Sequence, residues 1–96
     1  MSFNKREILK ALDFLLDVDL KNLTEEKEYA IERCFEIVGG VLKELVAKNV
    51  IKQTPLIKNA IKTRDKISHF YYGLNVELIN DAIEDLKEIK KVVDKI

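Results

Sequence analysis

Ile8, Leu9, Leu12, Leu15 and Leu16 recur at intervals of three and four, the period of one helix face, so an amphipathic helix is predicted from about Phe3 to Asp17. Ser2 or Asn4 is available as its N-cap. The pattern fades between Asp17 and Leu23. Thr24 followed by Glu25 and Glu26 then supplies a cap and two acids where a helix dipole favours them. A long second helix should follow to about Lys48, with Tyr29, Ile31, Cys34, Phe35, Val38, Val41, Leu42 and Leu45 on its inward side. A stripe that broad implies contact with more than one neighbour.

Thr54-Pro55 is a cap and first-turn pair, since the missing N–H of proline costs nothing there and its fixed φ suits a helix start. The third helix should run through Leu56, Ile57, Ala60, Ile61 and Ile67 and stop near Tyr72-Gly73. Asn75 is placed to cap a fourth, whose Ile79, Ala82, Leu86, Ile89, Val93 and Ile96 form the seam of an antiparallel bundle. Gly39-Gly40 interrupts the middle of the second helix, where glycine is costly. Either another backbone approaches closely there, across a twofold axis for example, or the helix kinks.

Composition agrees with this reading. Three Gly and one Pro are too few turn-formers for a small all-β domain, and Ile, Leu, Val and Phe supply 35 of 96 residues, enough for a packed core. The expectation is an all-α, antiparallel four-helix bundle in one domain spanning residues 1–96. Basic and acidic residues balance at 17 each, so the total field argues for neither DNA nor a membrane as partner. The single Cys34 cannot form an intrachain disulfide and no export signal or spanning segment is visible, which suggests a soluble, cytoplasmic chain. The neutral total conceals local polarity. Residues 48–66 carry six basic side chains against one acid, whereas residues 24–36 carry five acids against two bases. Lys58, Lys62 and Lys66 are therefore candidates for phosphate contacts; the plainer reading is a solvated lysine face.

The one histidine, His69, stands in Arg64-Asp65-Lys66-Ile67-Ser68-His69-Phe70-Tyr71, an R-x4-H-x-Y string. An imidazole can take a proton from a ribose 2′-hydroxyl or give one to a leaving 5′-oxygen, and a guanidinium forks onto phosphate oxygens. Arg64 and His69 together suffice for metal-free RNA cleavage, with Tyr71 or Ser68 orienting the phosphate and Asp65 holding the Arg or the His. On a straight helix Arg64 and His69 lie about 140° apart. The pair therefore requires either a loosening of the helix near Ser68 to Tyr72 or completion of the site by a second chain. Tyr71, Tyr72 and Phe70 suit the core or an interface as well as base stacking, with the core favoured for Phe70. One His and one Cys cannot build a usual zinc site, there is no phosphate-binding glycine loop, and no metal or cofactor is expected. Glu32 with Glu36, and Asp81 with Asp85, read as solvated helix faces, and Cys34 as a small core residue.

At this string the sequence resembles the HEPN superfamily, and within it the HepT-like ribonuclease toxins. Tyr29 through Gly39 looks like that family's second-helix signature and Tyr71 through Ile83 like its entry into the last helix, so the resemblance covers the chain from about Lys5 onwards. It implies a four- or five-helix bundle that forms a homodimer with its motif segments in a shared cleft, and a metal-independent endoribonuclease with catalytic Arg64 and His69. It also implies a partner: a minimal nucleotidyltransferase antitoxin that adenylylates the motif tyrosine, here Tyr71. One departure stands out, Gly39-Gly40-Val41 where many relatives have Gly followed by Glu-Ala, so that Gly40 replaces an acid. Two other readings compete with the toxin: a non-catalytic HEPN subunit that binds substrate or nucleotide for a nucleotidyltransferase, and a plain helical dimerisation module.

Overall fold

Four helices form where the pattern predicts them: α1 (Lys5–Asp17), α2 (Glu25–Ala47), α3 (Pro55–Ser68) and α4 (Val76–Asp94). The computed structural model describes residues 4–68 and 76–96. Each helix packs against two others, α1 on α2 and α4, and α3 on α2 and α4, so the four close into a ring around one core. Among the described residues there is no strand, and the chain is an all-α four-helix bundle.

Local chemistry sets the helix ends. Asn4 is extended and its side chain accepts from the Glu7 N–H at 3.1 Å, so α1 begins two residues after the expected Phe3. Thr24 accepts from the Lys27 N–H at 3.2 Å, and Glu25, Glu26 and Glu28 occupy the first turn of α2. Thr54 does the same for α3, accepting from the Ile57 N–H at 3.3 Å. The far end of α2 closes on Asn49, which adopts φ 59°. Its N–H donates to the Val46 carbonyl at 3.0 Å and that of Val50 to the Leu45 carbonyl at 2.9 Å, a Schellman motif with asparagine in the place glycine usually holds. Between α1 and α2, Asp19 takes hydrogen bonds from the Asn22 side chain at 2.8 Å and the Lys21 N–H at 2.9 Å, and these hold its carboxyl below the usual range.

The core is apolar throughout among the described residues: Ile8, Leu12 and Leu15 from α1, Ile31, Phe35, Val38, Leu42 and Leu45 from α2, Ile57 and Ile67 from α3, and Ile79, Leu86, Ile89 and Val93 from α4. Burying each such side chain contributes roughly 1.5–3 kcal/mol. Three expected inward positions differ. Tyr29 is 64% exposed, because it lies two residues before Ile31 and hence on nearly the opposite side of the helix. Ile96 is exposed because α4 ends at Asp94, before the seam reaches it. Cys34 is only half-buried at the edge of the core, and desolvation there pushes its thiol pKa up. The expected helix end at Tyr72-Gly73 and the Asn75 cap lie outside the described residues.

Candidate functional site

Arg64 occupies an unusual position for a charged side chain. Ile57, Ala60 and Ile67 are the buried residues of α3, and Arg64 continues their spacing of three and four, so it projects from the face that packs on the bundle. What it meets on α2 is glycine. A methyl group built on Gly39 would lie 2.5 Å from Cδ, 2.7 Å from Cβ and 3.0 Å from Cγ of Arg64. The aliphatic stem of the arginine thus fills the space that any other residue at 39 would claim. Among the described residues, one built on Gly40 would meet only Nη1 of Arg64, at 3.9 Å. The close approach is therefore at Gly39, and what approaches is a side chain of the same chain rather than the backbone that was expected.

The stem is covered and the head reaches the surface, which leaves the side chain 31% exposed, in the manner of long cations at the edge of a core. Nε of Arg64 lies 3.6 Å from Oδ1 of Asp65, whose side chain is 61% exposed. The acid next to the arginine does sit beside its guanidinium. An exposed pair at this distance orients more than it stabilises.

The basic segment does not form one face. Lys48 is tied to Glu44 at 2.8 Å, and the hydrogen bond lowers the Glu44 pKa. Lys58, Lys62 and Lys66 are exposed, make no ion pair among the described residues, and follow one another at intervals of four along α3. That stripe lies about 160° around the helix from Arg64. Lys58 and Lys62 border a shallow depression of about 550 Å³, with Gln53, Thr54, Pro55 and Asn59 completing its lining. The structure thus places Arg64 on the side of α3 that packs on the bundle and the lysine stripe on the other, with Asp65 reached by the guanidinium.

Ser68 is the last described residue of α3 and its backbone is helical. His69, Phe70, Tyr71 and Tyr72 lie outside the described residues, as does most of the segment in which a loosening is expected. Among the described residues no group of three or more His, Cys, Asp and Glu side chains is arranged to hold a metal ion, and no helix is long and apolar enough to cross a membrane.

A family profile described as "Ribonuclease HepT-like" matches residues 5–96. The chain belongs to the HepT-like ribonuclease family. Two proteins of Methanocaldococcus jannaschii, named "Putative RNase MJ0127" and "Putative RNase MJ0125", are each 30% identical to it, over 94 and 90 residues. Each match covers 88% of this chain and 77% of the relative. No solved structure shows significant similarity. In this HepT-like chain the sequence reading singled out Arg64 and found Gly39 unusual, but it did not connect the two. The signal was present: an arginine standing in an apolar series of one helix and two glycines beside the apolar series of the helix it packs against.

Proposed function

We propose that this HepT-like chain is a metal-independent endoribonuclease in which Arg64 and His69 act together, and that it is the toxin of a type II-like toxin–antitoxin pair. The observation that carries the reading is the family match over residues 5–96, within which the chain retains the R-x4-H-x-Y string. The seating of Arg64 adds to it, since a guanidinium held at a surface by a covered stem is prepared to receive a phosphate.

In this reading His69 takes the proton of a ribose 2′-hydroxyl, the oxygen attacks phosphorus, and the bond to the 5′-oxygen breaks. The leaving oxygen departs with a proton, so the products carry a 2′,3′-cyclic phosphate and a 5′-hydroxyl. Arg64 balances the charge that grows on the phosphoryl oxygens. In a homodimer the two His69 imidazoles supply one base and one acid across a shared cleft. Asp65 restrains Arg64, and Ser68 and Tyr71 orient the phosphate. Lys58, Lys62 and Lys66 hold the strand at a distance, on the far side of α3. A nucleotidyltransferase antitoxin that adenylylates Tyr71 would place a bulky anion two residues from His69 and close the cleft.

The test is cleavage of a mixed RNA substrate in EDTA by the wild type, Arg64→Ala and His69→Ala, with the product ends identified. Cleavage by the wild type alone, leaving cyclic phosphates, is the expected result. If none of the three cuts although all are folded and Tyr71 is unmodified, the chain is instead the non-catalytic subunit of a nucleotidyltransferase.

A further inference from the structure

We infer that Gly39 is a positioning residue for Arg64: the missing side chain at 39 forms a slot on α2 that fixes the arginine stem and thereby the direction of its guanidinium. The consequence for cleavage rests on the ribonuclease reading; the slot itself does not.

Three observations converge. The first is steric. The distances from a Cβ at 39 to Cβ, Cγ and Cδ of Arg64 are 2.7, 3.0 and 2.5 Å, all shorter than the ordinary van der Waals range of about 3.4–4 Å, so no side chain fits there while Arg64 keeps its course. Cδ can swing aside by rotation about the side-chain bonds. Cβ cannot, because it is fixed to the backbone of α3. A methyl at 39 therefore both deflects the guanidinium and pushes α3 away from α2.

The second observation is positional. Gly39 is buried in the middle of a 23-residue helix, between Val38 and the core residues Val41 and Leu42. Glycine is a poor choice for a helix interior unless a neighbour needs the room. The third is the contrast with the adjacent residue. Gly40 lies against the tip of the same arginine with ordinary clearance, 3.9 Å to Nη1. Among the described residues the tight contact is therefore at 39 alone, and the guanidinium passes over 40. The arrangement holds the stem at 39 and the head beyond it, with Asp65 on Nε.

The two glycines give a built-in comparison, since alanine raises helix propensity equally at both but crowds the Arg64 stem at 39 and only touches the guanidinium at ordinary distance at 40. Gly39→Ala and Gly40→Ala are made in the full chain, and kcat and KM for RNA cleavage are measured with each. The expected result is a kcat at least tenfold below wild type in Gly39→Ala with a smaller change in KM, and a kcat within twofold of wild type in Gly40→Ala. Wild-type kcat in folded Gly39→Ala would overturn the inference.

A second measurement needs no change at 39 and no cleavage. The chain has only three arginines, Arg6, Arg33 and Arg64, so the side-chain Nε–Hε region of a nitrogen–proton NMR spectrum holds three signals, and Arg64→Lys assigns the one of interest. A positive heteronuclear Overhauser effect on Arg64, well above that of Arg33 with its 72% exposed side chain, is expected. Equal mobility of the two would overturn the slot. If the wild type cuts no RNA but the Arg64 signal is rigid, the ribonuclease reading fails while the slot stands.

Discussion

At the scale of single residues, the structure turns two anomalies of the sequence into one contact. A charged residue in the apolar face of α3 and a glycine in the apolar face of α2 each cost stability alone, and each becomes reasonable opposite the other. Gly40 is different. With nothing nearer than 3.9 Å among the described residues, Gly40→Ala should gain up to about 1 kcal/mol from reduced backbone freedom in the unfolded chain, a rise in Tm of several degrees by thermal denaturation. The sequence showed the glycines but could not show which one was constrained, because side-chain direction across a helix interface depends on how the two helices are rotated.

At the scale of elements, the starts of α1, α2 and α3 and the end of α2 were legible to within two residues because they carry strong local signals. Thr24 and Thr54 cap as their side chains dictate, and Pro55 opens α3. The end of α2 agrees with the expected one near Lys48, but Asn49 closes it in the left-handed conformation with no glycine to advertise it. Asn49→Gly should leave stability unchanged or raise it, whereas Asn49→Ala should cost about 1–2 kcal/mol by placing an ordinary side chain at positive φ, as urea denaturation of the two variants would show. Tyr29, expected on the inward side, is exposed because its angular position decides against burial. A count of charges along the basic segment likewise says nothing of how α3 distributes them around its axis.

For the whole molecule, electrostatics act at the margins of pH and the apolar core acts between them. Asp19 and Glu44 have lowered pKa values through their hydrogen bonds, so their contributions are present above the ordinary carboxylate range and fade as pH falls below about 4. The Lys90 pKa is raised by its hydrogen bond to Asp13, so that contribution is present at neutral pH and fades as pH climbs beyond about 10.5. Thermal scans across pH should show any Tm deficit of Glu44→Gln shrinking towards zero at pH 2. The ring of helices also implies an order in time. α2 and α3 are adjacent in sequence and share the most extensive interface, whereas α1 and α4 meet only after the whole chain has turned back on itself, where Lys90 pairs with Asp13 at 2.6 Å and Lys5 reaches the Asp94 and Ile96 carbonyls at 3.1 Å. Local contacts form before distant ones, so the hairpin of α2 and α3 is expected in the folding transition state and the seam between α1 and α4 after it. In stopped-flow experiments Leu42→Ala should slow refolding, and Val93→Ala should chiefly speed unfolding. The lifetime of the native state is then governed by the seam that closes last, on the opposite side of the ring from the interface that holds Arg64.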